Sequence, residues 1–433
     1  MKSFLSSAIV SVHYFLLYAM KRSPLVVIFL TIFIDLIGVG ILIPIVPQLL
    51  ANPHSPEYLL PAGMSMQQGY ILLGILTASY TAMQFLAAPI LGQLSDRFGR
   101  RPILIASITG TALGYVLFAI AIITHNIPLL FASRMLDGIT GGNISVAQAA
   151  IADISTPENR SKNFGLIGAA FGLGFIIGPY LGGQLADTSH GAWFNAATPF
   201  WFAALLATIN IISIMLLLPE TNTRKNTKDV DWTKSFHDIL KALRIGRLRW
   251  LFIVNFLYIG GFTFFTTMFG VFLVSRYGFG SGSIGNFFAY VGIWIVLTQA
   301  FVTRLVAKKW SEWAVVNISL IGTGVAMMFF LVPGPWMVLL AVVPFFSLFN
   351  GLTQANYIAL ISRSAPDTVQ GEVLGINASV TALAQSIPPV IAGYIASVLH
   401  PSATVVVASV VVVLSGFIFL MTVRKNPIAA RAS

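Results

Sequence analysis

The sequence predicts an all-α membrane protein: twelve transmembrane helices in two parallel six-helix pseudo-repeats, with both termini in the cytoplasm. Three observations carry that prediction. Of 433 residues, 57% are hydrophobic and only 9% charged, with a mean hydropathy of +0.85, whereas a soluble globular chain is about 25% charged. Lysine and arginine cluster in alternate connections between apolar runs. Short motifs recur at an offset of about 210 residues. Intrinsic disorder is excluded, because 33 Phe, 8 Trp and 12 Tyr supply ample apolar surface. The absence of cysteine removes disulfide frameworks, thiolate metal sites and cysteine nucleophiles.

The elements follow in order. Residues 1–24 place Ser3, Ser6, Ser7, Ser11, His13 and Lys21 on one helical face, and Phe4, Leu5, Ala8, Ile9, Val12, Phe15, Leu16 and Ala19 on the other. That pattern predicts an amphipathic helix lying in the membrane interface. Lys2 before an apolar run is also compatible with a signal peptide or a thirteenth span. A bilayer core needs roughly 20 apolar residues per helix, and the first half, 25–218, supplies the runs 25–50, 67–91, 102–123, 128–153, 161–186 and 198–218. A polar cytoplasmic linker, 219–248, follows. The second half, 249–423, supplies 249–275, 280–306, 311–332, 335–361, 370–397 and 402–423, leaving a cytoplasmic tail of 424–433.

Orientation comes from the cations. With the amino end inside, the loop after helix 2 holds Arg97, Arg100 and Arg101, and the linker region holds eight more between Arg224 and Arg249. Of 25 basic residues only Arg134 and Arg276 fall outside cytoplasmic segments. The net charge of +11 is therefore a topology signal, and no nucleic-acid partner is expected.

The duplication is visible in three places. Gly138-Ile-Thr-Gly-Gly-Asn143 matches Gly351-Leu-Thr-Gln-Ala-Asn356, Ser155-Thr-Pro-Glu158 matches Ser364-Ala-Pro-Asp367, and Gly165, Pro179 and Gly183 match Gly375, Pro389 and Gly393. A repeat spanning six helices, an even number, enters the membrane the same way round twice. Parallel halves imply an axis along the membrane normal and a substrate site between them near the midplane.

Between helices 2 and 3 stands Gly92-Gln-Leu-Ser-Asp96-Arg97-Phe-Gly99-Arg100-Arg101-Pro102. A tight cytoplasmic turn needs its glycines, and Asp96 at a helix end can accept from a neighbouring helix N-terminus. Arg100 offers a fork to a carboxylate, with Asp153 at the end of helix 4 as its expected partner. Helix 4 also carries Arg134-Met-Leu-Asp137-Gly138, and helix 5 carries Gly174-Phe-Ile-Ile-Gly178-Pro179-Tyr-Leu-Gly182-Gly183. Small residues at the latter spacing let helices approach closely.

On these motifs the chain resembles the major facilitator superfamily, and within it the drug/proton antiporters with twelve helices, from about residue 25 onward. The helix 5 segment is similar to the antiporter signature of the exporting branch. Asp35-Leu-Ile-Gly-Val-Gly40-Ile-Leu-Ile-Pro44-Ile-Val-Pro47 in helix 1, Gln299-Ala-Phe-Val in helix 8 and Gln370-Gly371-Glu372 resemble the tetracycline exporters. Those exporters place a histidine in helix 8 and an aspartate in helix 9; here Ile295 stands near the first position, and helix 9 has no acid beyond Glu312 at its end. The resemblance implies a multi-pass protein of a bacterial inner membrane, working as a monomer by alternating access. It further implies a proton as coupling ion with no cofactor or metal.

Ionisable groups inside a membrane mark function by default. At about 1.5 Å per residue, Asp35 lies roughly 15 Å, Asp137 roughly 16 Å and Arg134 roughly 21 Å from the cytoplasmic face. These three are expected to meet in the first half. One guanidinium fully compensates one acid, which leaves the other carboxylate as the proton carrier. Protonation of Asp35 from outside would permit the halves to rock, release inside would reset the carrier, and substrate would leave on the outward stroke. A buried structural ion cluster is the alternative. Glu372, near the cytoplasmic mouth, suits a helix-start or gate role.

Candidate pocket residues from the middle of helices 7, 8, 10 and 11 are Asn255, Tyr258, Phe262, Asn286, Tyr290, Trp294, Gln299, Asn350, Gln354, Asn356, Tyr357, Asn377 and Gln385. A mixed amide and aromatic lining suits an amphiphilic small molecule, while each residue also fits an interhelical hydrogen bond or a lipid-facing position. An enzyme is disfavoured: the six histidines, His13, His54, His125, His190, His237 and His400, have no metal-ligand spacing, and no Gly-Lys-Ser/Thr phosphate loop is present. Asn143-Ile-Ser145 fits a glycosylation pattern but falls inside a helix. The expected function is proton-coupled export of a small amphiphilic compound. The alternatives on the same fold are a proton-coupled importer of a metabolite or siderophore, a lipid flippase, and a sensor that no longer transports.

Overall fold

The computed structural model describes residues 24–156, 159–223, 229–246, 248–364 and 370–423, and all regular structure among them is helical. The expected interfacial helix over 1–24, apart from Pro24, and the tail 424–433 lie outside the described residues. The first half comprises α1 (Pro24–Leu50), α2 (Met66–Phe98), α3 (Arg100–Ile123), α4 (Ile127–Thr140), α5 (Asn143–Asp153), α6 (Arg160–Leu185) and α7 (Thr198–Leu217). A linker helix, α8 (Lys234–Arg244), precedes the second half. That half comprises α9 (Leu248–Tyr277), α10 (Ser281–Leu297), α11 (Thr303–Ala307), α12 (Glu312–Phe329), α13 (Met337–Arg363), α14 (Gln370–Ser386), α15 (Pro388–Val398) and α16 (Pro401–Thr422). Helix starts follow local chemistry. Ser65 and Gln68 form a reciprocal capping box at α2, and Asn126 accepts from Leu129 N–H at 2.9 Å to open α4.

Among the described residues, eleven helical stretches are long and apolar enough to cross a membrane. The expected fourth span, 128–153, is the twelfth crossing, and it departs from the expectation of one continuous helix. Its halves, α4 and α5, have 14 and 11 residues and are separated by Gly141 and Gly142. Each glycine costs about 1 kcal/mol relative to alanine inside a helix. The freed carbonyls find partners: Gln84 Nε2 donates to Gly141 O at 2.8 Å and Ser145 Oγ to Gly142 O at 2.7 Å. In the repeat-matched helix α13 the corresponding residues are Gln354 and Ala355, and the helix runs unbroken. The eleventh crossing is divided at Ile387 by Pro388 and Pro389, which lack an amide hydrogen. The eighth contains a π-helical turn over Thr298–Val302.

Within each half the strongest packing pairs α1 with α6 and α9 with α16, and across the halves α6 meets α10 and α2 meets α15. Both cross-half contacts rest on glycine pairs. A Cβ on Gly183 would stand 2.9 Å from Gly285 Cα, and one on Gly393 would stand 3.3 Å from Gly74 Cα. Gly183 and Gly393 are matched by the repeat at an offset of 210, and Gly74 and Gly285 at 211. The two seams are therefore copies of one another about the pseudo-twofold axis.

The molecule has a linker end, carrying residues 97–101 and α8, and a far end, carrying the connections 51–65, 186–197 and 278–280. At the far end the halves are sealed. Gln48 Nε2 donates to Phe279 O at 2.8 Å and Gln184 Nε2 to Asn286 Oδ1 at 3.0 Å. A polar cavity of about 240 Å³ remains between them, with Gln48, Glu57 and Asp187 on one side and Ser281 and Ser283 on the other. The Ser189 side chain and N–H hold the Asp187 carboxyl below the usual carboxylate range.

The stretch 219–248 is not merely a connection. Its first residues fold back onto the first half, and α8 bridges α2 and α14.

Candidate functional site: a buried charge cluster and its gate

Three membrane-embedded charges lie in the first half, all buried: Asp35 on α1, Arg134 and Asp137 on α4. Arg134 and Asp137, one helical turn apart, form an ion pair through Nη2 and Oδ2. The guanidinium also lies over the rings of Tyr80 at 5.2 Å and Phe118 at 5.3 Å, the side of an aromatic that attracts a cation. Asp35 is not in that pair. Its Oδ1 accepts from Asn143 Nδ2 at 2.8 Å, and its Oδ2 is buried without a hydrogen-bond partner. The three groups expected to meet thus divide into an ion pair and an acid held by an amide. The helix break explains the division. Asn143 is the first residue of α5 after Gly141 and Gly142, so the kink delivers its side chain to α1.

Sequence reasoning missed Asn143 as a site residue. A Gly-Gly pair followed by a polar residue, inside a span that already holds Arg134, was the available signal. The glycine at 38 has a steric reason: a Cβ there would overlap the Tyr115 hydroxyl. Gly114 similarly faces the Asp137 Cβ, with 3.1 Å left for a methyl group.

At the linker end Arg100 is buried, with Nη1 2.6 Å from Asp96 Oδ1 and from Ser95 Oγ and Nε 2.9 Å from Asp153 Oδ2. Two expectations are corrected here. The acceptor for the α3 N-terminus is Glu220, not Asp96: its carboxylate accepts from Arg100 N–H at 2.8 Å and Arg101 N–H at 3.2 Å. A carboxylate there meets the unpaired amides and positive end of the helix dipole. Gly92 makes no turn; it sits inside α2 and faces open space. Gly99 alone turns the chain, at φ +113°, and a side chain there would run into Glu220.

The linker completes this cluster, as Asn222 Nδ2 donates to Asp96 O at 2.9 Å and Thr221 Oγ1 to Asp153 Oδ2 at 3.3 Å. Arg101 donates to Met215 O on α7, while Arg97 is exposed beside Phe98. Glu372, at the start of the eleventh crossing, pairs with Lys241 of α8.

The glycines of α6 face two helices. Gly174 packs on Leu36, Gly178 on Gly40 and Gly182 on Ile41, all on α1, whereas Gly183 packs on Gly285 of α10. Pro179 supports both sides, its ring beside Gly40 and its carbonyl beside Gly285.

The candidate pocket residues of the second half fall into groups. Asn255 Nδ2 donates to Asn377 Oδ1 at 3.0 Å and Thr381 Oγ1 at 2.9 Å. Tyr258 donates to Asn350 Oδ1 at 2.7 Å, leaving the fully buried Asn350 Nδ2 without a partner, and Tyr357 donates to Leu251 O. Asn356 donates to Leu352 O within its own helix. Phe262 stacks near Phe346, Tyr290 meets Trp294 edge-on, and Asn286 belongs to the far-end seal. Gln299 lies in the π-helical turn, Gln354 is partly buried on α13, and Gln385 offers its carbonyl to Thr81 across the halves at 3.0 Å. Tyr258, Asn350, Asn356 and Tyr357 are buried within the second half, while Gln299, Gln354, Asn377 and Gln385 are partly exposed.

The family model described as Major Facilitator Superfamily matches residues 28–389 and 312–433. The chain belongs to that superfamily. Its relatives include tetracycline resistance proteins. The class H tetracycline resistance protein of Pasteurella multocida is 32% identical over 393 residues, covering 87% of this chain and 90% of its own. The class D protein of Salmonella ordonez is 30% identical, covering 94% and 99%. The crystal structure of the human organic anion transporter TETRAN superposes with a TM-score of 0.69 at 24% identity, covering 92% of this chain and 99% of that one. This superfamily member is accordingly an integral, multi-pass membrane transporter, whose partners are a small molecule and the lipid bilayer.

Proposed function

We propose that the protein exports a small amphiphilic organic compound in exchange for protons, by alternating access, across a bacterial inner membrane. The observation that carries this is the division of the buried charges. Arg134 already has Asp137, so Asp35 has a free, buried Oδ2 and one neutral amide to hold it. A carboxylate so placed can take up a proton without breaking an ion pair.

Protonation cancels a charge between α1 and α5, at the helix break, and so lowers the cost of moving these elements past one another. Deprotonation restores it. The sealed far end corresponds to the state that loads substrate from the linker end. Arg134 holds Asp137 and keeps that second acid out of the exchange. The proton is the coupling ion, no cofactor or metal takes part, and one chain suffices. The cargo is taken between the halves, against the amides and aromatic rings of the second half. Tetracyclines are the first compounds to test, because that is what the named relatives resist.

The test is proton flux in liposomes with a trapped pH dye, with tetracyclines, other lipophilic amphiphiles, metabolites and siderophores added in turn. Compound-driven flux that is lost in Asp35→Asn is the expected result. Flux that survives in Asp35→Asn refutes the assignment of the carrier. Flux only with metabolites or siderophores, running inward with protons, replaces export by import, and binding without flux replaces transport by sensing or lipid handling.

A further inference from the structure

The linker helix α8 presents three distinct faces. Ser235, Asp238 and Ala242 are buried against the bundle. Lys234, His237, Lys241 and Arg244 lie on a polar face, with Lys241 paired to Glu372, His237 to Asp231 at 2.9 Å and Lys234 to Asp238 at 3.3 Å. Lys234, whose pair is long, and Arg244 therefore keep donors for a further anion. Between these runs an apolar stripe of Phe236, Leu240 and Leu243, extended by Trp232 just before the helix, in which every residue is more than half exposed. At 100° per residue the stripe spans about 80° and the cations the next 80°. A helix in water buries such a stripe.

The height of α8 is fixed by its contacts. Ser235 donates to Phe85 O at 2.7 Å, and Ser379 donates to Asp238 Oδ2 at 3.1 Å. Phe85 lies six residues inside the apolar run that ends at 91, about 9 Å into the membrane, and Ser379 lies nine residues after 370, about 13 Å in. Those contact points lie at and somewhat below the roughly 5–10 Å to which interfacial helices sink, and long basic side chains snorkel from there toward the headgroups.

The side of the bundle is fixed too. Ser379 and Glu372 share one face of α14, some 200° away from Asn377 and Thr381, which face α9. Gln93, whose side chain exchanges two hydrogen bonds with the Asp231 backbone, stands half a turn from Gln84, which faces the fourth crossing. The helix therefore rests on the outer flank of the α2–α14 seam.

We infer that α8 is a lipid-embedded strap: Trp232, Phe236, Leu240 and Leu243 insert among acyl chains, and Lys234 and Arg244 bind anionic phospholipid headgroups. Charge complementarity selects the occupant, since the cations flank the stripe on the side from which long basic side chains snorkel to the phosphates. Because the same helix ties α2 to α14, an anionic leaflet strengthens the bridge between the two halves at this end, whatever the cargo.

The chain has no cysteine, so single labels can be placed without background. The full-length protein carrying Leu240→Cys or Phe236→Cys is labelled with bimane and reconstituted in a mixture of phosphatidylcholine and phosphatidylglycerol, the latter supplying the negative surface potential that attracts basic segments. Either lipid is brominated in its acyl chains. Both labels are expected to be quenched by brominated lipid and spared by aqueous iodide, and a label at His237→Cys to show the reverse. Brominated phosphatidylglycerol is expected to out-compete brominated phosphatidylcholine at residue 240, with roughly fivefold preference per cation, and the double variant Lys234→Gln/Arg244→Gln to abolish that preference. Iodide quenching at 236 and 240 overturns lipid insertion. Quenching by neither agent shows the stripe covered by protein, a partner or a second copy, and overturns it as well. Equal quenching by the two lipids overturns the anionic headgroup site.

Discussion

Replacing Gly183 with leucine wedges one of the two seams that seal the far end. A Cβ at 183 would stand 2.6 Å from Ser281 O and 2.9 Å from Gly285 Cα, both backbone atoms that cannot rotate away. Overpacking of this kind costs about 1–3 kcal/mol. The cost falls only on the state in which α6 and α10 are in contact, so the ratio of sealed to open molecules drops by roughly 5- to 150-fold. Gly74→Leu does the same at the repeat-related seam, where its Cβ meets Pro389 O and Gly393 Cα. The seams share no partner, so the double variant should approach the sum.

Nitroxides at His54→Cys and Ser283→Cys, exposed residues lining the far-end cavity from opposite halves, report the separation by double electron–electron resonance. The short-distance population should shrink in each single variant and nearly vanish in the double. Gly165→Leu, where a side chain meets open space, should leave it unchanged. An unaltered distribution in a folded double variant refutes the claim that these glycines hold the sealed state.

Four further outcomes follow from the geometry. Glu220→Ala removes the acceptor for two α3 amides and should cost about 1–2 kcal/mol, seen as a lower Tm in detergent. Asp153→Ala leaves the buried Arg100 with Asp96 and Ser95 alone; a loss of about 1.5–3 kcal/mol is expected in the same melt, whereas Arg97→Ala, on an exposed residue, should be nearly silent. Asn143→Ala takes away the amide that holds Asp35, and substrate-driven proton flux should fall by roughly tenfold or more, with undiminished flux counting against the site. Asp231, held at about 2 by the Thr233 hydroxyl and then His237, has a depressed folded value. Its contribution to the start of α8 is complete above the ordinary carboxylate value near 4 and lost as pH falls toward about 2. Hydrogen exchange over 231–238, corrected for intrinsic rates, should show that loss in the parent and none in Asp231→Asn.

Much of this architecture was legible because membrane insertion is a coarse constraint. Twenty-residue apolar runs and loop cations fix spans, and the match of Gly183 with Gly393 marks the repeat, though not that these glycines pack across the halves. What escaped detection depended on contacts distant in sequence. The break between α4 and α5 was hidden inside an apolar run, because hydropathy does not register whether Gly141 and Gly142 stay helical. Asn143 reaches Asp35 only through that break. Glu220 looked like one more polar linker residue, since its partners lie 120 residues away at the α3 N-terminus. Among the candidate pocket residues, Asn255, Tyr258 and Tyr357 are engaged in interhelical hydrogen bonds, a distinction that composition does not make.

The unequal fourth and tenth crossings have a consequence for how such a molecule can change. A duplicated ancestor begins with two identical halves, yet here one copy keeps a broken, charged helix and the other an unbroken one with neutral Ser347 and Asn350 at the places of Arg134 and Asp137. The copies still meet through the same glycines. Mutations that reshape the neutral half can therefore accumulate without disturbing the charged one, provided the shared contact surface is left alone. The lining of one repeat can then change by drift, while the charged half is inherited intact.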